Sequence, residues 1–319
     1  MMSKKYIIIA VLIIAIIAIF SIYALNSTSS KKEEKVKLVF MNNAWSYGFK
    51  WSVDNGLVEL PKNVEINLVP SERWNDMFIN GEADMGMVTL PVFTIAWNKN
   101  NDWRILYPHG RTYSIIFARE DSNITSIKDL KGKTVAIGGL TWLSTLFLQD
   151  LFVKNNMSLN DVTLIAKPLP VIPQLIQKGD VDAGMLSVEN VPDVERLKLK
   201  KIVDMDEECI KLYGTYLMPS VIAAKKGIDE NTIKAVAGSL DKALAITYNN
   251  SDKVVGAYYE EYGLNITDKM NAYKSSEFRI YVPWNENRKD VMKYEFGLCK
   301  NYNISENVPQ LEDVILEIA

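Results

Sequence analysis

The chain has 319 residues, 48% of them hydrophobic and 24% charged, a balance that suits a folded protein rather than a disordered one. A formal net charge of −3, with lysines and arginines scattered through the globular part, excludes the basic stripe expected of a nucleic-acid binder. One histidine (His109) and two cysteines (Cys209, Cys299), with no CxxC, leave no zinc or iron–sulfur ligand spacing, and no cofactor is expected.

Lys4 and Lys5 precede an apolar run, Ile7 to Leu25, broken by Ser21 and Tyr23. As a helix its 19 residues span about 28 Å, close to the thickness of a hydrocarbon core. The positive charges lie before the run, which puts the rest of the chain outside the cytoplasm. Residues 1–25 are therefore read as an uncleaved membrane anchor. A cleaved signal peptide is the competing reading, disfavoured by the length of the run and the lack of a small-residue cleavage site. Residues 26–35 (NSTSSKKEEK) form a polar tether with nothing to bury.

Val36 to Met41 reads as a buried first strand, followed by a loop holding Trp45 and Tyr47, and then a helix over Phe49 to Asn55. Val64 to Val69 alternates as a second strand, Trp74 to Asn80 is helical, Phe93 to Asn98 is helical, and Arg104 to Tyr107 begins another strand. Tyr113 to Ala118 is an apolar strand leading out of this first unit. A Lys-Gly turn, a strand ending at Ile137, a glycine corner and a helix from Leu143 to Asn155 follow. Asp161 to Ile165 is a strand and Val171 to Lys178 a helix. Tyr216 to Ala224 is extended, with Pro219 demoting it to an edge or a crossover. Asn231 to Asn249 and Asp252 to Tyr262 are amphipathic helices. Strands alternating with helices predict two doubly wound α/β domains. Crossings near 113–119 and 213–222 make a hinge between a discontinuous first domain (36–118 and 217–319) and an inserted second one (119–216).

Two stretches 98 residues apart nearly repeat each other. Gly81-Glu82-Ala83-Asp84-Met85-Gly86-Met87-Val88-Thr89 and Gly179-Asp180-Val181-Asp182-Ala183-Gly184-Met185-Leu186-Ser187 both read Gly-x-x-Asp-x-Gly-Met-x-Thr/Ser. Each follows a helix-like run and reads as a helix closed by glycine, then a short buried strand. Asp84 and Asp182 are assigned to the turn. Thr89 and Ser187 fall at the carboxyl ends of their strands, the edge where open α/β sheets bind ligands.

These motifs, together with Ser126 to Ile137 (SIKDLKGKTVAI) and Val221 to Asn250, resemble the SsuA/THI5-like group of ABC-importer substrate-binding proteins, whose ligands include nitrate, sulfonates, taurine and pyrimidines. The resemblance covers roughly Val36 to Gly263. It implies a type II periplasmic-binding-protein fold and a monomeric receptor on the outer face of the membrane. Such a receptor captures a small molecule and delivers it to permease and ATPase subunits. An enzyme of the same fold (pyrimidine-synthase-like or menaquinone-pathway-like) and a ligand-sensing receptor subunit are the alternatives. The pyrimidine-synthase relatives need a Cys/His-rich iron site that this composition does not supply, and no G-x-S-x-G or HExxH is present.

The candidate ligand-binding residues follow from position and chemistry. In Gly138-Gly139-Leu140-Thr141-Trp142, Gly139 allows close backbone approach, Thr141 is placed to cap the next helix and donate to an anion, and Trp142 offers an aromatic face. Trp45 and Tyr47 suit stacking on a planar or cationic ligand. Arg111, beside His109, suits a carboxylate, phosphate or sulfonate. Thr89 and Ser187 are strand-end donors, Glu189 follows the second motif, and Tyr213 sits at the second crossing. Each has an ordinary packing or solvent-facing alternative, and the ligand is expected to be anionic, planar or both. Cys209 and Cys299 either pair or remain buried thiols. Asn-x-Ser/Thr sequons begin at Asn26, Asn123, Asn156, Asn249, Asn265 and Asn303, about twice the number that this composition gives by chance.

Overall fold

Among the described residues ten strands form two sheets with the same internal plan. In the first sheet the order is β2 (Val64–Val69), β1 (Val36–Met41), β3 (Met85–Thr89), β10 (Ser220–Lys225), β4 (Trp103–His109). The second runs β7 (Thr163–Ala166), β6 (Thr134–Ile137), β8 (Ala183–Leu186), β5 (Ile115–Arg119), β9 (Leu199–Asp204). Four strands of each sheet run the same way, and the one fourth in order, β10 or β5, is antiparallel to both of its neighbours. This computed structural model describes residues 35–100, 102–110, 114–187, 190–262 and 286–316. The expected anchor and nearly all of the tether lie outside the described residues. Among the described residues no helix is long and apolar enough to cross a membrane.

The mixed α/β class with two doubly wound halves is as the alternating pattern predicts, with three shifts. The strand expected to lead out of the first unit pairs with β8 and β9, so it belongs to the second sheet and the first crossing narrows to 110–114. A boundary at 118 therefore falls inside a second-sheet strand. The segment after Pro219 is an interior strand, not an edge. Pro219 precedes the paired residues, and its carbonyl accepts the Leu90 N–H at 2.9 Å, so the missing proline donor costs the ladder nothing. The first helix, α1 (Ala44–Asp54), starts five residues earlier than expected because Asn43 caps it, its Oδ1 accepting the Ser46 N–H at 2.9 Å.

The repeated motif does the same structural work twice. Asp84 accepts the Lys37 N–H at 3.0 Å and Asp182 accepts the Thr134 N–H at 2.9 Å, each tying the strand to the start of its parallel neighbour. The second glycine is a packing requirement. A Cβ on Gly86, whose φ is +143°, would lie 1.9 Å from the Val39 carbonyl, and one on Gly184 would lie 2.4 Å from Ile172 Cγ2. The strands they start are buried along almost their whole length, as parallel strands covered by helices must be.

The remaining helices are α2 (Ser71–Ile79), α3 (Leu90–Asn100), α4 (Leu143–Lys154), α5 (Ile172–Lys178), α6 (Val191–Arg196), α7 (Met205–Tyr213), α8 (Glu230–Asn249), α9 (Ser251–Glu261), α10 (Glu286–Asn301) and α11 (Leu311–Val314). Helix α10 packs on α3 from the first half and on α4 and α7 from the second. Phe296 stacks on Phe93, and Tyr294 lies on Tyr213 and edge-on to Phe147 while its hydroxyl donates to Asp150. At the centre of this seam Glu295 is fully buried, and its Oε1 accepts the Met218 N–H of the second crossing at 2.7 Å. Cys209 and Cys299 are both buried and free, the thiol alternative of the sequence reading.

Candidate functional site: the carboxyl edges of the two sheets

Parallel pairing sends the ends of β1, β3 and β4 to one edge of the first sheet, and those of β6 and β8 to one edge of the second. The first crossing joins the two edges. Its five residues, 110–114, span at most roughly 20 Å, so the edges lie close together.

On the first edge a polar row crosses three adjacent strands. Thr89 pairs with Ser220, and Ser220 with His109. The Ser220 hydroxyl donates to the His109 carbonyl at 2.8 Å, and that of Thr89 to Asn75 Oδ1 at 3.3 Å. His109 keeps part of its surface exposed, yet its Nδ1 is buried without a hydrogen-bond partner among the described residues. Burial pushes the imidazole down to about 4, so the ring is neutral at physiological pH. It can offer hydrogen bonds there but no charge. Beside this row Asn42, directly after β1, has a buried Oδ1 with no partner.

The second edge presents Ser187, whose buried Oγ also lacks a partner among the described residues. Its backbone is held by Asn190, which accepts the Ser187 N–H at 3.1 Å and donates to the Leu169 carbonyl at 3.2 Å. Asn190 thus serves the loop, and both ends of its amide are occupied. Next to Ser187 is the glycine corner. A Cβ on Gly138 would sit 2.2 Å from the Trp142 ring, and one on Gly139 would sit 2.6 Å from its Nε1. The glycines admit the indole, which lies against their backbone and still exposes 43% of its surface.

Several expected roles move. Thr141 is exposed and does not cap α4, whose N-cap is Trp142 without a side-chain bond. Thr145 instead donates to the Gly139 carbonyl at 2.8 Å and closes the corner. Trp45 and Tyr47 belong to the first turn of α1 rather than to a loop. Trp45 is half-buried. Tyr47 is buried, packs on Tyr258 and Tyr262, and donates to Glu261 at 2.7 Å, which commits it to the contact between α1 and α9. Tyr213 ends α7 and stacks on Tyr294 at 4.6 Å, placing it in the seam beside the second crossing. Arg111 and Glu189 lie outside the described residues. The structure therefore brings together Thr89 and His109 on one edge and Gly139, Trp142 and Ser187 on the other. It adds Asn42 and Ser220, which the sequence did not single out. Asn42 reads as half of an Asn-Asn cap, and Ser220 looks ordinary until β10 is known to be interior. Among the described residues no group of three or more His, Cys, Asp or Glu side chains is placed to hold a metal ion.

The model of the family described as NMT1/THI5 like matches residues 62–254. The chain belongs to the NMT1/THI5-like family. Solved structures share the fold across most of the chain. The periplasmic aliphatic sulphonate binding protein SsuA from Escherichia coli has a TM-score of 0.73 at 15% identity, covering 90% of this chain and 93% of its own. The alkanesulfonate-binding protein SsuA from Xanthomonas axonopodis pv. citri, bound to MOPS, has a TM-score of 0.67 at 13% identity, covering 89% and 99%. A DszB variant in complex with biphenyl-2-sulfinic acid has a TM-score of 0.61 at 14% identity, covering 88% and 96%. No curated protein matches the sequence.

Proposed function

We propose that this protein is the extracytoplasmic solute-binding component of an ABC importer, capturing a small molecule between the two sheet edges and presenting it to a permease. The observation that carries this reading is that three buried polar atoms with no partner among the described residues belong to those edges: Asn42 Oδ1 and His109 Nδ1 from one sheet, Ser187 Oγ from the other. Leaving a polar atom buried and unpaired costs about 1–3 kcal/mol each. A bound molecule that hydrogen-bonds to all three offsets that cost only when both edges reach it. Such differential contact stabilises the closed arrangement, which the permease then recognises.

The exposed indole of Trp142 supports a planar organic group on the ligand, and Arg111 supports an anionic one. MOPS, a sulfonate bound by one fold relative, and biphenyl-2-sulfinic acid, bound by another, are compatible with that pairing. The domain division follows the strands, with 36–109 and 220–316 on one side and 115–204 on the other. Residues 7–25 anchor the chain to the membrane. A catalytic reading is weaker, because the lone histidine has no described carboxylate or nucleophile bonded to its Nδ1.

The test is native mass spectrometry of the protein taken from its source membranes, followed by thermal shifts with the molecule it carries. A co-purified small molecule should raise the melting temperature, and Ser187→Ala and Trp142→Ala should each weaken its binding about tenfold, roughly 1.4 kcal/mol. A protein that carries nothing and responds to no member of a broad metabolite set would sink the proposal.

A further inference from the structure

The sequons remain unexplained by the site, and the structure separates them. Twenty-six asparagines and 33 serines and threonines would give between two and three such triplets by chance, against six observed. Four lie in the described residues, and in all four the asparagine side chain is exposed. Modification also requires that the hydroxyl two residues later be readable by the transferase. Ser305, which serves Asn303, is buried, and its hydroxyl donates to the Asn307 carbonyl at 2.7 Å. Asn249 is the last residue of α8 and Ser251 the first of α9, so helical backbone holds both ends of that triplet. Asn123 and Asn156 differ. Both sit in turns, and Thr125 and Ser158 are exposed along with them.

Their location is also informative. Asn123 follows β5, whose antiparallel course ends beside the start of β8, at the sheet edge opposite Ser187. Asn156 has φ +60° in the turn after α4, a 12-residue helix that begins at the glycine corner and carries the chain about 18 Å away from it. Asn123 borders a depression of about 330 Å³ lined by polar side chains, Arg119, Asp121, Lys133 and Asp182 among them, which is wide enough for a sugar ring.

We propose that Asn123 and Asn156 carry N-linked glycans on the face of the second half that points away from the candidate site. This rests on the external location in the proposed function. The donor is a lipid-linked oligosaccharide phosphate. The asparagine Nδ2 attacks the anomeric carbon, a C–N bond forms, and the C–O bond to phosphate breaks. The lipid phosphate leaves with the electron pair, and a base of the membrane transferase takes the amide proton. Sugar at these two positions shields the far edge and leaves both the cleft and the faces flanking it clear.

The experiment is glycopeptide mass spectrometry on the full chain from its source membranes, run beside cleavage of intact cells by a protease that does not cross the membrane. The expected result is a glycan mass on the peptides of Asn123 and Asn156 and none on that of Asn303. Asn123→Gln and Asn156→Gln each remove one mass step, and Asn123→Gln leaves the melting temperature unchanged. Unmodified peptides in a chain that the protease reaches overturn the glycan proposal while the external location stands. A chain protected in intact cells overturns both. Glycan on Asn249 or Asn303 in place of this pair overturns the accessibility argument.

Discussion

Replacing Glu295 with glutamine should stabilise the protein at neutral pH. The carboxyl is fully buried in the seam, and desolvation, with the like charge of Asp206 adding to it, raises its pKa well above 4.5 against the opposing pull of the Met218 N–H. The folded state therefore holds a proton that the unfolded chain releases above pH 4.5. For a raised pKa on an acid, the stability present at low pH falls as pH rises, by about 1.4 kcal/mol per unit, until the folded pKa is reached. Each pH unit above 4.5 over which the folded carboxyl stays neutral costs about 1.4 kcal/mol. The Glu295→Gln amide oxygen still accepts from Met218 and needs no proton. The variant should melt higher than the parent at pH 7, by about 3–5 °C for each such unit, with the gap closing towards pH 5. Thermal unfolding followed by circular dichroism between pH 5 and 8 measures this. Parallel profiles, or a variant that melts below the parent at pH 7.5, would refute the neutral buried acid.

His109 should act with the opposite sign. Its folded pKa of about 4 lies below the ordinary 6.5, so its stabilising contribution is complete above pH 6.5 and is lost as pH falls through 4. The loss amounts to roughly 3 kcal/mol. His109→Gln should flatten the acid limb of a urea-unfolding series between pH 4 and 7, and an unchanged limb counts against the buried ring. The twin glycines should differ in tolerance. Gly86→Ala drives a Cβ into the backbone carbonyl of Val39 at a positive φ and should cost at least about 3 kcal/mol. Gly184→Ala meets the ends of Ile172 and Ile176, which can shift, and should cost about 1–3 kcal/mol. Equal melting temperatures for the two variants would show that this close-approach reading is wrong.

The parallel strands and the repeated turn are legible because each depends on local pattern: short apolar runs, glycine after a helix, aspartate before a strand. What escaped depends on distant partners. Trp45-Ser46-Tyr47-Gly48 reads as a loop because a glycine sits among aromatics, yet Gly48 is helical and makes room for Thr247, where a Cβ would lie 2.5 Å from Oγ1. Helix α10 is polar enough along its length to pass for a surface segment, and nothing local marks Glu295 as buried. At the Gly138–Gly139 corner the partner that requires the glycines is the neighbouring indole of Trp142. Asn42 became visible only as an acceptor with no donor.

The late return of β10 to the first sheet has a consequence for how the chain comes to be folded at all. Strand β10 completes the first sheet by inserting between β3 and β4, and Ser220 meets His109 across 111 residues of sequence. A nascent chain that has emerged only as far as β4 therefore exposes two unpaired apolar strand edges, and no amount of waiting closes them. They are sealed only after the whole second half has been synthesised, so closure carries the entropy of a very long loop and folding is expected to be slow. The first sheet of such a chain stays open to pairing with other strands until its last third arrives.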